Sequence, residues 1–384
     1  MGHGVGPRSW RRKGLAPYRT IYYWDWRVQA DEKAMTGGYG RQAGFLGDPA
    51  SAAKKIHVPT YDEILERIGR RPRRPSRRRA VYEEEIELLT RVRDIVISKT
   101  DFVREVARLL DSLHPFHREL IEIEFNRRDV GSAVSCVSRA RKMTDRLLER
   151  YKVLLLASES PREARAIARE ARGRILSLYK RCSRGLEVLR SLMVFMHRLP
   201  AIDPDSPTII VSGPPSSGKS TLVKNVSRAK PKVADYPFTT KRIHIGHFEA
   251  GDGRVQIVDT PGVLDRSLEE MNPVEKRAAA ALRLLDGVVL FLFDPSPDAY
   301  MGLDKQAGLL ENTIAKLVSG KRIYVAVNKE DAVGRDRLEQ ALTAAREAAE
   351  AVGARFLGST SAIERERARR LVSRIASMEG WAEA

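Results

Sequence analysis

Two periods divide the chain. Over residues 81–199 apolar positions recur three and four apart, as in Phe102, Val103, Val106, Leu109, Leu110 and Leu113, which predicts helices that each bury one stripe. Pro115 predicts a break after that set. Ser160-Pro161-Arg162-Glu163 has the parts of a capping box, with Ser at the cap, Pro first and Glu third. One long helix is expected over 161–199, bent at Gly173 and Gly185. Together with a helical stretch over 129–157 it predicts antiparallel neighbours, hence an α-helical bundle. The apolar stripes read as core. The faces carrying Arg139, Arg141, Lys142, Arg146, Arg150 and Lys152 read either as solvated or as RNA-contacting.

Beyond the stiff connector over 200–207, with prolines at 200, 204 and 207, short apolar runs alternate with helical patterns. Strands are expected over 208–212, 287–293, 322–328 and 355–357. An antiparallel pair over 241–248 and 254–259 is expected to turn at Gly251-Asp252-Gly253. This alternation predicts a second, α/β domain with a doubly wound, mostly parallel sheet. The expected domains are therefore a poorly ordered basic extension (1–53), a basic helical bundle (54–200) and the α/β domain (201–384). The extension holds Tyr22-Tyr23-Trp24-Asp25-Trp26 and has no sustained period, and Met35 is a second candidate start. Regular structure is expected from about Ile56, with Thr60 capping a helix over 61–68.

Charge sharpens this division. From Ala201 onward 26 Lys+Arg meet 25 Asp+Glu, whereas residues 1–200 hold 42 against 25. The excess lies outside the α/β domain and predicts a polyanionic partner for the first half, nucleic acid being the commonest. The densest run holds Arg70, Arg71, Arg73, Arg74, Arg77, Arg78 and Arg79, with Pro72 and Pro75 between them. Prolines forbid regular structure there, and the arginines repel one another unless phosphates neutralise them. The competing reading is a solvated linker. Cys136 and Cys182 lack metal-ligand spacing and suit a reducing compartment. No apolar run is long enough to span a bilayer, and the start lacks a signal-peptide core, so an intracellular address is expected. Asn and Gln number five each beside abundant Arg and Glu, which points to a thermophilic source.

Five ordered motifs specify the chemistry of the α/β domain. Gly213-Pro214-Pro215-Ser216-Ser217-Gly218-Lys219-Ser220, followed by Thr221, is a phosphate loop placed between a strand and a helix. Its backbone N–H groups wrap phosphates, Lys219 neutralises β/γ oxygens and Ser220 offers a hydroxyl to Mg²⁺. Asp259-Thr260-Pro261-Gly262 ends a strand, so that Asp259 holds the metal through water and the Gly262 N–H reaches the γ-phosphate. One of Thr239 and Thr240, with Thr240 favoured, completes the metal shell. Asn328-Lys329-Glu330-Asp331 selects guanine: Asp331 accepts from N1–H and the 2-amino group while the Lys329 stem packs over the ring. After the last strand, Ser361-Ala362 supplies an N–H for the guanine O6. The bound species is then GTP or GDP. Val263 stands where Ras-like proteins carry a water-orienting Gln, so slow intrinsic hydrolysis is expected.

Tyr236-Pro237-Phe238-Thr239-Thr240-Lys241 with Gly246-His247, and Val258 through Asp265, resemble the Obg-related GTPases. Leu268-Glu269-Glu270, Asn272, Glu275 and Ala281-Leu282, with the Lys55-Ile56 and Val58-Pro59-Thr60 start, narrow the resemblance to the nucleolar GTP-binding protein family of large-subunit ribosome-assembly factors. The resemblance spans about residues 54–362. It implies a helical bundle followed by an α/β P-loop GTPase domain, a GTPase reaction, and precursor of the large ribosomal subunit and its rRNA as partners. Ser216 replaces an Asn that binds potassium in some members of the wider group, so the resemblance does not carry potassium activation to this chain. Eukaryotic members continue into a long C-terminal extension; the shorter form resembles archaeal members and implies a cytoplasmic address. Two alternatives stay open: an RNA-binding placeholder that holds GTP without turnover, and an Obg-branch translation or stress GTPase.

Overall fold

The computed structural model describes residues 48–69, 81–199, 202–203, 206–227, 232–235, 242–250, 253–260 and 271–381. The arginine run over 70–79, the aromatic cluster, Thr239, Thr240, Gly262 and Val263 lie outside the described residues. All described residues belong to one compact unit, 39–384.

Regular structure starts before Ile56. Helix α1 (Pro49–Lys54) forms because the Asp48 carboxylate accepts from the Ala50 N–H and Pro49 presets the first turn, and it buries Ala50 and Ala53. Then follow α2 (Tyr61–Gly69), α3 (Val81–Lys99), α4 (Phe102–Ser112), α5 (Pro115–Glu124), α6 (Arg127–Leu156), α7 (Pro161–Arg181) and α8 (Ser183–Met196). Helices α3, α6, α7 and α8 pack as the bundle. Its core includes Leu89 from α3, Leu148, Tyr151 and Leu155 from α6, and Ala164, Ala168 and Ala171 from α7, the alanines allowing close approach. The capping box forms: the Glu163 N–H donates to Ser160 Oγ at 3.2 Å, and the Glu159 N–H donates to the Glu163 carboxylate at 2.9 Å.

Three expectations for the bundle are corrected. The long helix over 161–199 is two helices, broken at Cys182 rather than bent at Gly173 or Gly185; Cys182 leaves helical geometry at φ −91°, ψ 3°. Gly185 instead permits close packing, since an added Cβ would come within 3.1 Å of the Ala133 Cα. The cysteines are not separate thiols: Cys136 of α6 and Cys182 form a disulfide, a linkage at odds with the reducing-compartment reading and one that intracellular proteins of hyperthermophiles do carry. Arg141 does not lie on an exposed face. It is buried, donating to the Ile97 carbonyl, Thr100 Oγ1 and the Asp101 carboxylate, and so ties α6 to the α3–α4 corner; burial lowers its pKa.

The α/β domain comprises β1 (Thr208–Ser212), α9 (Lys219–Val226), β2 (Lys232–Asp235), β3 (Arg242–Ala250), β4 (Gly253–Asp259), α10 (Pro273–Leu284), β5 (Val288–Phe293), α11 (Leu303–Gly308) leading through a π-helical turn (Leu309–Ile314) into α12 (Ala315–Leu317), β6 (Ile323–Val327), α13 (Arg335–Ala351), β7 (Arg355–Ser359) and α14 (Arg365–Met378). Among the described residues the seven strands form one sheet in the order β2-β3-β4-β1-β5-β6-β7. β2–β3 and β3–β4 are antiparallel and the other pairs parallel. Every residue of β1, β5 and β6 is buried, as continuous apolar strands covered on both faces must be. Central strand β1 has β4 on one side and β5 on the other, so the chain order reverses there, and ligand crevices form beyond the carboxyl ends of strands at such a switch point.

Candidate guanine-nucleotide site

The carboxyl end of β1 delivers the phosphate loop. Gly213 has φ 143°, and a Cβ there would lie 2.6 Å from the Leu292 carbonyl oxygen of β5; Gly218 has φ 91°, and a Cβ there would lie 2.2 Å from Asn328 Nδ2. Both positions require glycine, because the loop is pressed against the neighbouring strand end and the base-selecting motif. Between them Pro214 and Ser217 are buried, Pro215 half-buried and Ser216 exposed, Ser216 holding φ 63°. Lys219 opens α9 and lies buried across the loop, donating to the Gly213 and Pro214 carbonyls at 3.1 and 2.6 Å. Its ammonium is thus among the backbone groups that would face phosphates. Thr221 follows in the same first turn.

Next to the loop, Asp259 ends β4 beside Val211 of β1, and Ser220 Oγ donates to its Oδ2 at 2.5 Å. A hydroxyl and a carboxylate this close at the mouth of a phosphate loop are hard oxygen donors suited to Mg²⁺. The third predicted metal ligand, Thr240, lies outside the described residues, as does Gly262.

The segment expected to select the base, Asn328 to Asp331, follows β6. Asn328 is buried and bridges three segments: its Nδ2 donates to the Ser217 carbonyl at 2.7 Å, and its Oδ1 accepts from the Ala362 N–H at 2.8 Å. This side chain fixes the phosphate loop, the base motif and the segment after β7 in one register. Asn225 on α9 adds a second tie, donating to the Ala362 carbonyl at 2.7 Å. Ser361 and Ala362 are buried; Asp331 is exposed. Glu330 is held by an ion pair with Arg367 of α14. The structure therefore brings together Gly213 to Thr221, Asp259, Asn328, Lys329 and Ser361-Ala362.

Sequence reasoning passed over two buried residues in this region. Asp294 follows β5, and its carboxylate meets Lys329 Nζ at 2.6 Å. Gln306 of α11 grips the Asp294 backbone on both sides, accepting from its N–H and donating to its carbonyl, each at 2.8 Å. The available signal was a carboxylate just past the carboxyl end of a buried strand, where open α/β sheets place ligand-facing groups.

Fold and site together define a P-loop GTPase domain carried behind a helical domain. Residues 208–329 match the family model described as 50S ribosome-binding GTPase, and residues 54–203 match that of the NOG1 N-terminal helical domain. The chain belongs to the nucleolar GTP-binding protein family. It is 30% identical over 296 residues to nucleolar GTP-binding protein 1 of Eremothecium gossypii, covering 74% of this chain and 45% of that protein. With the protein of the same name from Encephalitozoon cuniculi it shares 34% identity over 240 residues, covering 62% of this chain and 44% of that one. The chain thus spans less than half the length of these relatives. A solved nucleolar GTP-binding protein 1 structure from Plasmodium falciparum aligns at 28% identity with a TM-score of 0.38, covering 47% of this chain and 92% of that one. Among the described residues no helix is long and apolar enough to cross a membrane.

Proposed function

We propose that this chain is a GTP-hydrolysing assembly factor of the large ribosomal subunit, acting in the cytoplasm. In this reading Lys219, Thr240 and Gly262 would stabilise the transferring phosphoryl group, and Ser220, Thr240 and Asp259 would hold Mg²⁺. When bound, the ion supplies positive charge against the developing charge on the phosphate oxygens. Asp331 reads guanine.

The observation that carries the RNA half is a cationic stripe on α6. Arg139, Lys142, Arg146 and Arg150 are all exposed, lie three and four residues apart, and form no ion pair with a carboxylate among the described residues. They extend about 16 Å along one face at 1.5 Å per residue. Other basic side chains of the bundle are paired, Arg93 with Asp94 and Asp145 and Arg174 with Glu170. An uncompensated row of this length suits a string of phosphates, and the arginine run over 70–79 would extend the footprint. A second reading, a GTP-bound RNA placeholder with scarcely any turnover, is favoured by Val263, whose side chain cannot orient water.

The test is to crosslink the protein to RNA in its own cells and sequence what is bound. Enrichment of large-subunit rRNA is the expected result; a set dominated by other RNAs contradicts the ribosomal assignment.

A further inference from the structure

Lys329 occupies an unusual backbone position. Its φ and ψ of 60° and 33° lie in the left-handed region, shared among the described non-glycine residues only with Ser216. A lysine adopts this region at a cost and stays there when its surroundings hold it. Backbone bonds hold both flanks: the Asn328 N–H donates to the Phe293 carbonyl at 2.9 Å and the Glu330 N–H to the Thr360 carbonyl at 3.3 Å. The side chain is held by Asp294 alone among the described contacts, at 2.6 Å.

Asp294 is built for that contact. Its side chain is fully buried, and its Oδ1 accepts from both the Ser296 N–H at 3.0 Å and Ser296 Oγ at 2.5 Å. Gln306, also fully buried, pins the Asp294 backbone and donates to the Met301 carbonyl at 2.9 Å. One carboxylate oxygen is thus spent on fixing the loop and the other faces the ammonium of Lys329. The Lys329 side chain itself remains 27% exposed. Its head is anchored while part of the side chain stays open, an arrangement compatible with an aliphatic platform for a flat base.

We propose that Asp294 is a specificity-determining positioning residue for guanine. By anchoring the Lys329 ammonium, it lays the methylene stem flat as the surface on which the base stacks, and it sets the left-handed turn that places Asp331 opposite the Watson–Crick edge. The proposal rests on the guanine-nucleotide reading of this site. Asp294 touches no nucleotide; it acts through Lys329, and Gln306 and Ser296 act through Asp294.

The experiment is a double-mutant cycle on the full chain. GTP, ITP and ATP dissociation constants and GTP dissociation rates are measured for the wild type, Asp294→Asn, Lys329→Met and the double variant, with urea titrations giving the folded fraction of each. Asp294→Asn is expected to speed GTP dissociation about tenfold, with an unchanged association rate and a smaller preference for GTP over ITP. In the Lys329→Met background the same substitution is expected to change dissociation less than twofold. Tenfold effects that multiply independently in the two backgrounds, or a wild-type dissociation rate in folded Asp294→Asn, overturn the proposal while leaving the guanine site intact. A wild type that binds ATP as tightly as GTP overturns the guanine reading itself, and the proposal with it. If Asp294→Asn does not fold, Gln306→Glu, which disturbs the same anchor from the loop side, is carried through the same cycle with the same expectations.

Discussion

Buried Arg277 of α10 and partly buried Glu124 at the end of α5 form an ion pair across the boundary between the α/β domain and the helical domain. Arg283 and Glu119, at 3.5 Å, form a second, half-exposed pair at the rim of the same contact. Among the described residues α10 is the first helix after Asp259, and it packs directly on α5 of the domain proposed to hold RNA. Burial lowers the Arg277 pKa, so removing a carboxylate that faces its guanidinium is costly. Glu124→Ala is therefore expected to destabilise the chain by about 3–5 kcal/mol, as breaking one half of a buried pair does. Glu124→Leu combined with Arg277→Met should recover most of that loss. Denaturant unfolding checks both, and a near-wild-type midpoint for Glu124→Ala contradicts the buried-pair account.

Asp331→Asn exchanges a charged double acceptor for an amide. GTP affinity is expected to fall about a hundredfold, since charge-assisted hydrogen bonds each contribute about 1.5–3 kcal/mol. Xanthine nucleotide should gain relative to GTP, because its 2-oxo group meets the new donor. Titration with both nucleotides checks this, and unchanged GTP affinity removes Asp331 from base recognition.

His117 introduces an acid sensitivity near the same helix. It is fully buried on α5, and burial, then the nearby His114, lower its pKa to about 4, with Asp48 opposing. Because the folded pKa lies below the unfolded value of 6.5, the unfolded chain takes up the proton first. Stability from this group is complete above about pH 6.5 and is lost as pH falls toward 4, by about 3 kcal/mol at 1.36 kcal/mol per unit. Thermal unfolding between pH 7 and 4 should show a shallower decline for His117→Leu than for the wild type. Parallel declines rule out His117 as the source.

The Cys136–Cys182 disulfide closes a loop with a sequence separation of 46. On chain-entropy grounds it stabilises the fold by about 2–4 kcal/mol. Reduction, or Cys136→Ser with Cys182→Ser, should lower the unfolding midpoint accordingly and leave GTP affinity unchanged, since both cysteines lie in the bundle. An unchanged midpoint on reduction contradicts a structural role for the bond.

The candidate nucleotide site was legible because phosphate and guanine chemistry constrain contiguous residues. Gly213 and Gly218 have no substitute at their φ values, and the loop, Asp259 and the Asn328 motif each occupy a strand end that apolar runs announce. Strand β2 escaped notice because Lys232–Asp235 is short, at an edge and without a sustained apolar alternation. The break at Cys182 escaped because Gly173 and Gly185 were the obvious weak points, whereas Gly173 continues its helix and Gly185 serves contact with Ala133. Arg141 looked like one more member of a basic face, since sequence spacing does not show that the Ile97–Asp101 corner folds over it. Asp294 and Gln306 were harder to read for a related reason. The strand-end carboxylate is a weak signal, and the contact of Asp294 with Lys329 across the ends of two strands, like the grip of Gln306 on Asp294, exists only once the sheet order is set.

On the proposed function the ribosomal particle completes GTP hydrolysis, because the Val263 side chain has no group that can orient water. Single-turnover hydrolysis of prebound GTP, measured with and without purified large-subunit precursor, tests it most directly. The account predicts a slow rate for the protein alone and stimulation by the precursor, on the order of the 10³-fold that one supplied transition-state contact gives. An equal rate in the presence and absence of the precursor contradicts it and leaves the non-turnover placeholder as the better description.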